Sequence, residues 1–453
     1  MMKKIVLLML SGVLCYSQTF ETLPLLQNGA NDKRINMVIL GDGFTDVQQT
    51  EFITSAQASM NYLFNKSPYL EYKNYFNVYA VKVISAESGV KHPGTAANSA
   101  EPIFPVSNPN NFLGSSFDIG GTHRCMYGNN TKVGQVLSAN VPDYDVAYIL
   151  SNSTQYGGCG GAYAFASLNN SSNEILVHEL GHSFGRLADE YWITTGESHN
   201  KTQNSNPATV KWKNWVGTDG VGIYPFPEDN TWYRPHQNCE MRFLNRQFCA
   251  VCRETIIEKI HSLVSPIESY TPTNSTAVDG NSNVTFTVNE ILPIPNTLVN
   301  SWKLNGTMLA ATGNSITISP GQLNTGTNTL LFSVTDNTTL VKVDNHHTVH
   351  FTNITWTLNK TVLGVAEIKA QERHFGIYPN PFQSEFVIKG KQNFSGKIDV
   401  NIYDMSGKLI AAGFERLKPD ALLVHTNNLP SGTYMLNITE DKTLIISQKI
   451  IKE

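Results

Sequence analysis

Near residue 266 the chain changes texture, and that change restricts the possible architectures more than any other feature. Before it, apolar runs of strand length alternate with stretches whose apolar residues recur every three or four positions; after it, helical periodicity disappears and Ser, Thr and Asn dominate. With 453 residues the chain also exceeds what one ordinary domain packs around a single core, so a multi-domain protein is expected.

In the first region, residues 35–40 form a short apolar strand that stops at the turn Gly41-Asp42-Gly43. Thr45 and Gln48 have capping-box spacing, and Ile53, Ala56, Met60 and Leu63 then share one face of a helix. Residues 76–84 and 144–150 read as further strands, which gives an α/β (α+β) domain, a sheet with helices packed on it, over 18–265. Residues 266–370 alternate like a β-sandwich, with strands at 283–288, 315–318 and 329–334. His346, His347 and His350 fall in this stretch and are assigned to a solvated edge or loop. A small all-β unit is expected over 374–453, because Tyr378-Pro379-Asn380-Pro381 cannot continue a helix or a central strand and short alternating runs follow.

Lys3 and Lys4 precede a mainly apolar run, so residues 1–17 read as a signal peptide cleaved before Gln18. The run is too short to span a bilayer and nothing later resembles it, so no stable membrane span is expected. A lipid on Cys15 is discarded because Leu14 is large for such a cleavage site. The net charge of -4 supplies no basic field, and no nucleic acid is expected as a partner. Export permits disulfides, but Cys125, Cys159, Cys239, Cys249 and Cys252 are odd in number. Cys125 with Cys159, and Cys239 with Cys249 or Cys252, are plausible pairs. No second CxxC accompanies Cys249 and Cys252, so a disulfide or free thiols is preferred there to a structural zinc.

The chemistry is concentrated in His178-Glu179-Leu180-Gly181-His182. On a helix, His178 and His182 stand one turn apart and can direct ring nitrogens at one Zn2+ ion, while Glu179 is positioned to act as the catalytic base toward a water. Gly185 is where the helix could end in a left-handed conformation. A third ligand is then required, and Asp189 is preferred to Glu190 because it needs the smaller shift. Met241 is a possible Met-turn beneath the metal, and Tyr233 and His236 are candidates for touching substrate or an oxyanion. The Gly-rich stretch 156–161 could border the cleft and pair with an extended peptide, or be a flexible surface turn. No organic cofactor is indicated.

Tyr156-Gly157-Gly158-Cys159-Gly160-Gly161, the histidine motif through Gly185, Leu187-Ala188-Asp189-Glu190-Tyr191 and Phe248-Cys249-Ala250-Val251-Cys252-Arg253-Glu254 together resemble the IgA-peptidase family of zinc metallopeptidases over roughly residues 30–265. The resemblance implies a metzincin-like catalytic domain with β-sandwich (Ig-like) modules attached. The metzincin pattern places its third ligand where this chain has Ala188, which cannot bind metal. The last 80 or so residues resemble type IX secretion sorting domains in the Tyr378-Pro379-Asn380-Pro381 opening and the Pro430-Ser431-Gly432-Thr433-Tyr434 strand. That likeness implies export through the periplasm to the medium or cell surface, with the type IX machinery as a partner. The expected activity is that of a zinc endopeptidase on protein or peptide substrates. The alternative is a cell-surface adhesin or glycan-binding protein with an inactive peptidase-like domain.

Overall fold

The computed structural model describes residues 18–97, 105–192, 194–361, 375–410 and 413–453, so the expected signal peptide at 1–17 and the expected junction at 370–374 lie outside the described residues. The chain divides into two compact units, Met1–Thr361 and Val362–Glu453.

The first unit begins with an α/β layer. Strands β1 (Thr22–Leu26), β2 (Ile35–Asp42), β3 (Phe76–Val81), β4 (Val146–Ser151), β5 (Gly158–Cys159) and β6 (Ala164–Ser167) form one sheet in the order β1-β3-β2-β4-β6-β5. β3, β2, β4 and β6 are parallel, and the two edge strands run antiparallel to their neighbours. β2 is buried along its whole length. Ile35, Met37 and Ile39 enter one core and Val38 and Leu40 the other, as an apolar strand covered on both faces must. Each large side chain so buried contributes about 1.5–3 kcal/mol. β2 runs on through Gly41 and Asp42, past the expected stop, and the chain turns at Gly43 with φ 73°.

Helices α1 (Gln49–Leu63), α3 (Ser172–Ser183) and α4 (Ala250–Leu263) share the first core through Phe52, Leu63, Leu176, Leu180, Ile256 and Ile260. Helix α2 (Asn130–Asn140) serves the other with Val133, Val136 and Leu137. The capping box of Thr45 and Gln48 is present, and it closes a 3-10 turn that leads into α1. A short hairpin, β7 (Tyr224–Pro225) and β8 (Tyr233–Arg234), lies between α3 and α4 in the chain.

Beyond α4 come β9 (Ile267–Thr271), β10 (Val278–Asp279), β11 (Val284–Glu290), β12 (Leu298–Leu304), β13 (Thr307–Met308), β14 (Ser315–Ile318), β15 (Gly326–Asp336), the short helix α5 (His346–Val349) and β16 (Thr352–Lys360). Sheets β10-β16-β15-β12-β13 and β14-β11-β9 bury one core around Trp302, Trp356, Phe286 and Phe332. This module is bonded to the α/β layer. Tyr72 donates its hydroxyl to Asp336 at 2.6 Å, His261 reaches the same carboxylate at 3.0 Å, and Arg34 pairs with Glu268 at 2.7 Å. His346 and His350 both bond Glu258 of α4, and His346 is buried, so these histidines do not form a solvated edge.

The second unit is all-β. β17 (Phe375–Tyr378), β18 (Glu385–Gly390), β19 (Ile398–Tyr403), β20 (Leu409–Ile410), β21 (Gly413–Lys418), β22 (Ala421–His425), β23 (Gly432–Glu440) and β24 (Thr443–Lys452) form sheets β17-β18-β22-β21 and β20-β19-β23-β24 around one core. Among the described residues, no helix is long and apolar enough to cross a membrane.

Candidate active site

Helix α3 carries the motif. Its Ile175, Leu176, Val177 and Leu180 anchor it in the core, and Glu174 in its first turn pairs with Lys66 at 2.7 Å. The helix ends at Ser183. Arg186 N–H then bonds His182 O and Leu187 N–H bonds Gly181 O, with Arg186 in the left-handed region at φ 54°. The left-handed residue is thus Arg186, not Gly185. Gly185 is required for a different reason: a Cβ there would meet Gly181 O at 2.9 Å and the Ile256 side chain at 3.2 Å.

The reversal brings Asp189 back to the histidines. Asp189 Oδ1 lies 3.1 Å from His178 Nε2 and 3.2 Å from His182 Nε2, and the two Nε2 atoms are 3.2 Å apart. Each ring is oriented by its other nitrogen, His178 Nδ1 at 3.0 Å from Glu240 O and His182 Nδ1 at 2.8 Å from Leu187 O. A carbonyl oxygen only accepts, so both Nδ1 atoms carry the hydrogen and both neutral rings present an Nε2 lone pair. With both rings in that neutral form, three acceptors face one another with no donor among them, so the cluster has to take up either a proton or a metal cation. Tetrahedral ligands 2.0–2.1 Å from zinc would be separated by about 3.3 Å, so the triangle has the size of one face of such a site.

Without a metal, protons take the cation's place. Burial works against protonation of His178, but its hydrogen bond to Asp189 and the charges of Glu179 and Asp189 outweigh this and push its pKa up to about 9. For Asp189, burial is the largest influence and is overcome by the hydrogen bonds from the two histidines, which hold its carboxyl well below the usual range. Glu179 is buried and its pKa is raised, chiefly by loss of solvent, with His178 and His182 pulling the other way. Its carboxylate lies against the glycine stretch, where a Cβ at Gly160 would stand 2.3 Å from Glu179 Oε2.

His178, Glu179 and Asp189 open onto a cleft of about 620 Å³, whose other walls include Arg124, Tyr156, Tyr191, Trp192 and Arg242. The Tyr156–Gly161 stretch, far from being a loose turn, contains β5 at the end of the sheet, and a disulfide joins Cys159 to Cys125. Gly158 packs inward: a Cβ there would meet Ile175 Cγ2 and Phe165 O, each at 2.5 Å.

Glu190 does not join the histidines. Its N–H bonds Met241 O at 2.8 Å, and its carboxylate accepts from Asn200 at 3.0 Å and lies among three cysteines. Met241 is fully buried against α3, where a Cβ at Gly181 would stand 2.5 Å from its Sδ. Tyr233 and His236 do not line the cleft. Tyr233 pairs with Pro225 and Thr202, and His236 accepts from Asn238 N–H. Sequence reasoning missed Tyr191, which lines the cleft together with Asp189; its pKa is raised by burial first, then by the charges of Asp189 and Glu179. Its position two residues after Asp189 was the available signal.

Comparison with known families gives two matches. The chain contains an IgA Peptidase M64 domain over residues 23–230 and a secretion system C-terminal sorting domain over residues 376–453. It therefore carries a peptidase-type catalytic domain and a tail that directs export to the medium or cell surface. No curated protein matches the chain. Among solved structures, the Bacteroides ovatus mixed-linkage glucan utilization locus protein SGBP-B is 12% identical with a TM-score of 0.15, covering 41% of this chain and 47% of its own. The chain thus spans about half the length of that protein. The Lin-41 filamin domain is 14% identical at a TM-score of 0.15, covering 17% of this chain and 91% of its own. The insect immune protein hemolin is 9% identical at 0.18, covering 41% and 45%.

Proposed function

We propose, on the premise that residues 23–230 are an M64 peptidase domain of an exported chain, that the protein is a zinc-dependent endopeptidase hydrolysing peptide bonds of protein substrates. In this reading the α/β layer is metzincin-like, the module after α4 is Ig-like, His178, His182 and Asp189 hold the zinc, and Glu179 is the general base. The supporting observation is the trio of acceptors 3.1–3.2 Å apart, a repulsive arrangement unless a cation is shared among them. Zinc bound there supplies a Lewis acid that polarises the scissile carbonyl and lets a water be deprotonated near neutral pH.

The remaining steps fall to the chain itself. Glu179 takes the proton of the attacking water and passes it to the departing amine, a role that suits a carboxylate whose pKa is raised by burial. The edge strand β5, whose Gly158 and Cys159 line the cleft, would lie beside an extended substrate and hold it against His178, Glu179 and Asp189. The Cys125–Cys159 disulfide steadies that edge. The test is digestion of casein by the mature protein, by the chelated protein and by Glu179→Ala. Cleavage should fall by roughly 100- to 10,000-fold in Glu179→Ala, the usual contribution of a positioned base. Equal cleavage in all three samples rejects the reading.

A further inference from the structure

A second cluster lies behind the first and uses none of its residues. Glu190, Cys239, Cys249 and Cys252 each bring one ligand-capable atom to a common point, with all four atoms within 4.8 Å of one another and all four residues buried. They come from three segments: the loop after α3, the turn that bears Met241, and the N-terminus of α4, where Cys249 is the N-cap and Cys252 lies in the first turn. We propose that these four side chains bind a structural Zn2+ ion, distinct from the one at the histidines.

Distances and unmet bonds carry the argument. Cys239 Sγ and Cys252 Sγ are 3.7 Å apart, and Cys252 Sγ is 3.4 Å from Glu190 Oε1. A disulfide would need about 2.05 Å. Tetrahedral zinc with Zn–S near 2.3 Å sets sulfurs about 3.8 Å apart and sulfur and carboxylate oxygen about 3.6 Å apart. Glu190 is fully buried, and its Oε2 has no hydrogen-bond partner among the described residues. A buried carboxylate beside three thiols, with one oxygen unsatisfied, is a costly arrangement that a cation relieves.

Burial holds the Cys239 and Cys252 thiols protonated, so their thiolates form together with the bound ion, helped by nearby groups. Cys249 N–H donates to Cys239 Sγ at 3.3 Å, and the amino end of α4 stabilises negative charge at Cys249 and Cys252. The guanidinium of Arg234, buried and close enough to interact with Glu190, offsets part of the surplus negative charge. On zinc uptake each coordinating thiol gives its proton to solvent, and no oxidant or reductant is needed. With four protein ligands and no access to solvent, the site is closed, as a structural zinc requires. It also accounts for three free thiols in an exported chain whose other two cysteines among the described residues form a disulfide.

The experiment uses the mature chain carrying His178→Ala and His182→Ala, purified without chelator or reductant, so that zinc at the catalytic cluster cannot contribute. We expect about one zinc per chain by elemental analysis, a zinc X-ray absorption spectrum with sulfur neighbours near 2.3 Å, and three thiols titrating only after denaturation with chelator. Adding Cys249→Ser and Cys252→Ser should abolish the remaining zinc. A zinc-free double-histidine variant, or a single titratable thiol, which signals a disulfide within the trio, overturns the proposal. The absorption spectrum and the thiol count retain every native cysteine, so they decide the matter even if the serine variant fails to fold.

Discussion

Asp189 and Glu190 are adjacent in the chain yet belong to different clusters: Asp189 Oδ1 lies 3.1 Å from His178 Nε2, whereas Glu190 Oε1 lies 3.4 Å from Cys252 Sγ. One backbone step separates the residue that completes the histidine triangle from one buried among thiols. Substitutions at the two positions should therefore have separable effects. Asp189→Asn should weaken zinc binding at the histidines by at least about 100-fold, more than the loss of an outer hydrogen bond usually costs. Glu190→Gln should lower the melting temperature while leaving that zinc in place. Zinc competition with a chromophoric chelator, run beside thermal melts, checks both, and the opposite pattern would exchange the two roles.

Gly160 touches the candidate base, Glu179. A methyl there would have to displace Glu179 Oε2, from which it would stand 2.3 Å. Displacing a reacting group by about 1 Å costs on the order of 100-fold, so Gly160→Ala should lower kcat by roughly that factor. Zinc content and melting temperature should stay near wild type. A variant with unchanged kcat would show that the glycine does not constrain the glutamate.

Met241 is fully buried and its Sδ lies against Gly181 of α3. Met241→Ala leaves a cavity beneath the helix that carries both histidines and should destabilise the first unit by about 2–5 kcal/mol. Met241→Leu keeps the volume and should cost less than about 1.5 kcal/mol. Denaturant melts of the two variants measure the difference directly.

His178 gives the metal-free protein a defined pH response. Burial opposes its protonation, but the hydrogen bond to Asp189 and the nearby carboxylates push the pKa up to about 9. A pKa raised on folding contributes stability that is complete below about pH 6.5 and is lost as the pH rises through the folded value. Chelated protein should accordingly melt at a lower temperature at alkaline pH than at slightly acidic pH. Zinc has to displace the same proton, so affinity at the histidines should rise roughly tenfold per pH unit up to that pKa. A flat affinity over this range would contradict the protonated, metal-free state.

Features set by local periodicity could be read from the sequence. The Thr45–Gln48 capping box, the apolar face of α1 and the i, i+4 pairing of His178 and His182 depend on residues a few positions apart, and the structure contains all three. Asp189 was within reach because only a short reversal separates it from α3. Other features depend on contacts that spacing does not encode. Arg186, rather than the glycine before it, takes the left-handed conformation, because a close approach to Gly181 and Ile256 already reserves Gly185. Glu190 meets Cys239 and Cys252 across some 50 to 60 residues, a convergence of distant segments in one core. Tyr233 and His236 looked suitable by proximity to Met241 in sequence, but the hairpin that holds Tyr233 directs the chain away from the cleft.

The bonds that Tyr72 and His261 make to Asp336 bear on how the molecule can be trimmed. A fragment ending just after α4 would strip a buried tyrosine and a buried histidine of their shared carboxylate and leave Glu258 without the two imidazoles that bond it. The shortest self-sufficient piece therefore extends to about Thr361, so the α/β layer is to be produced with its β-module still attached.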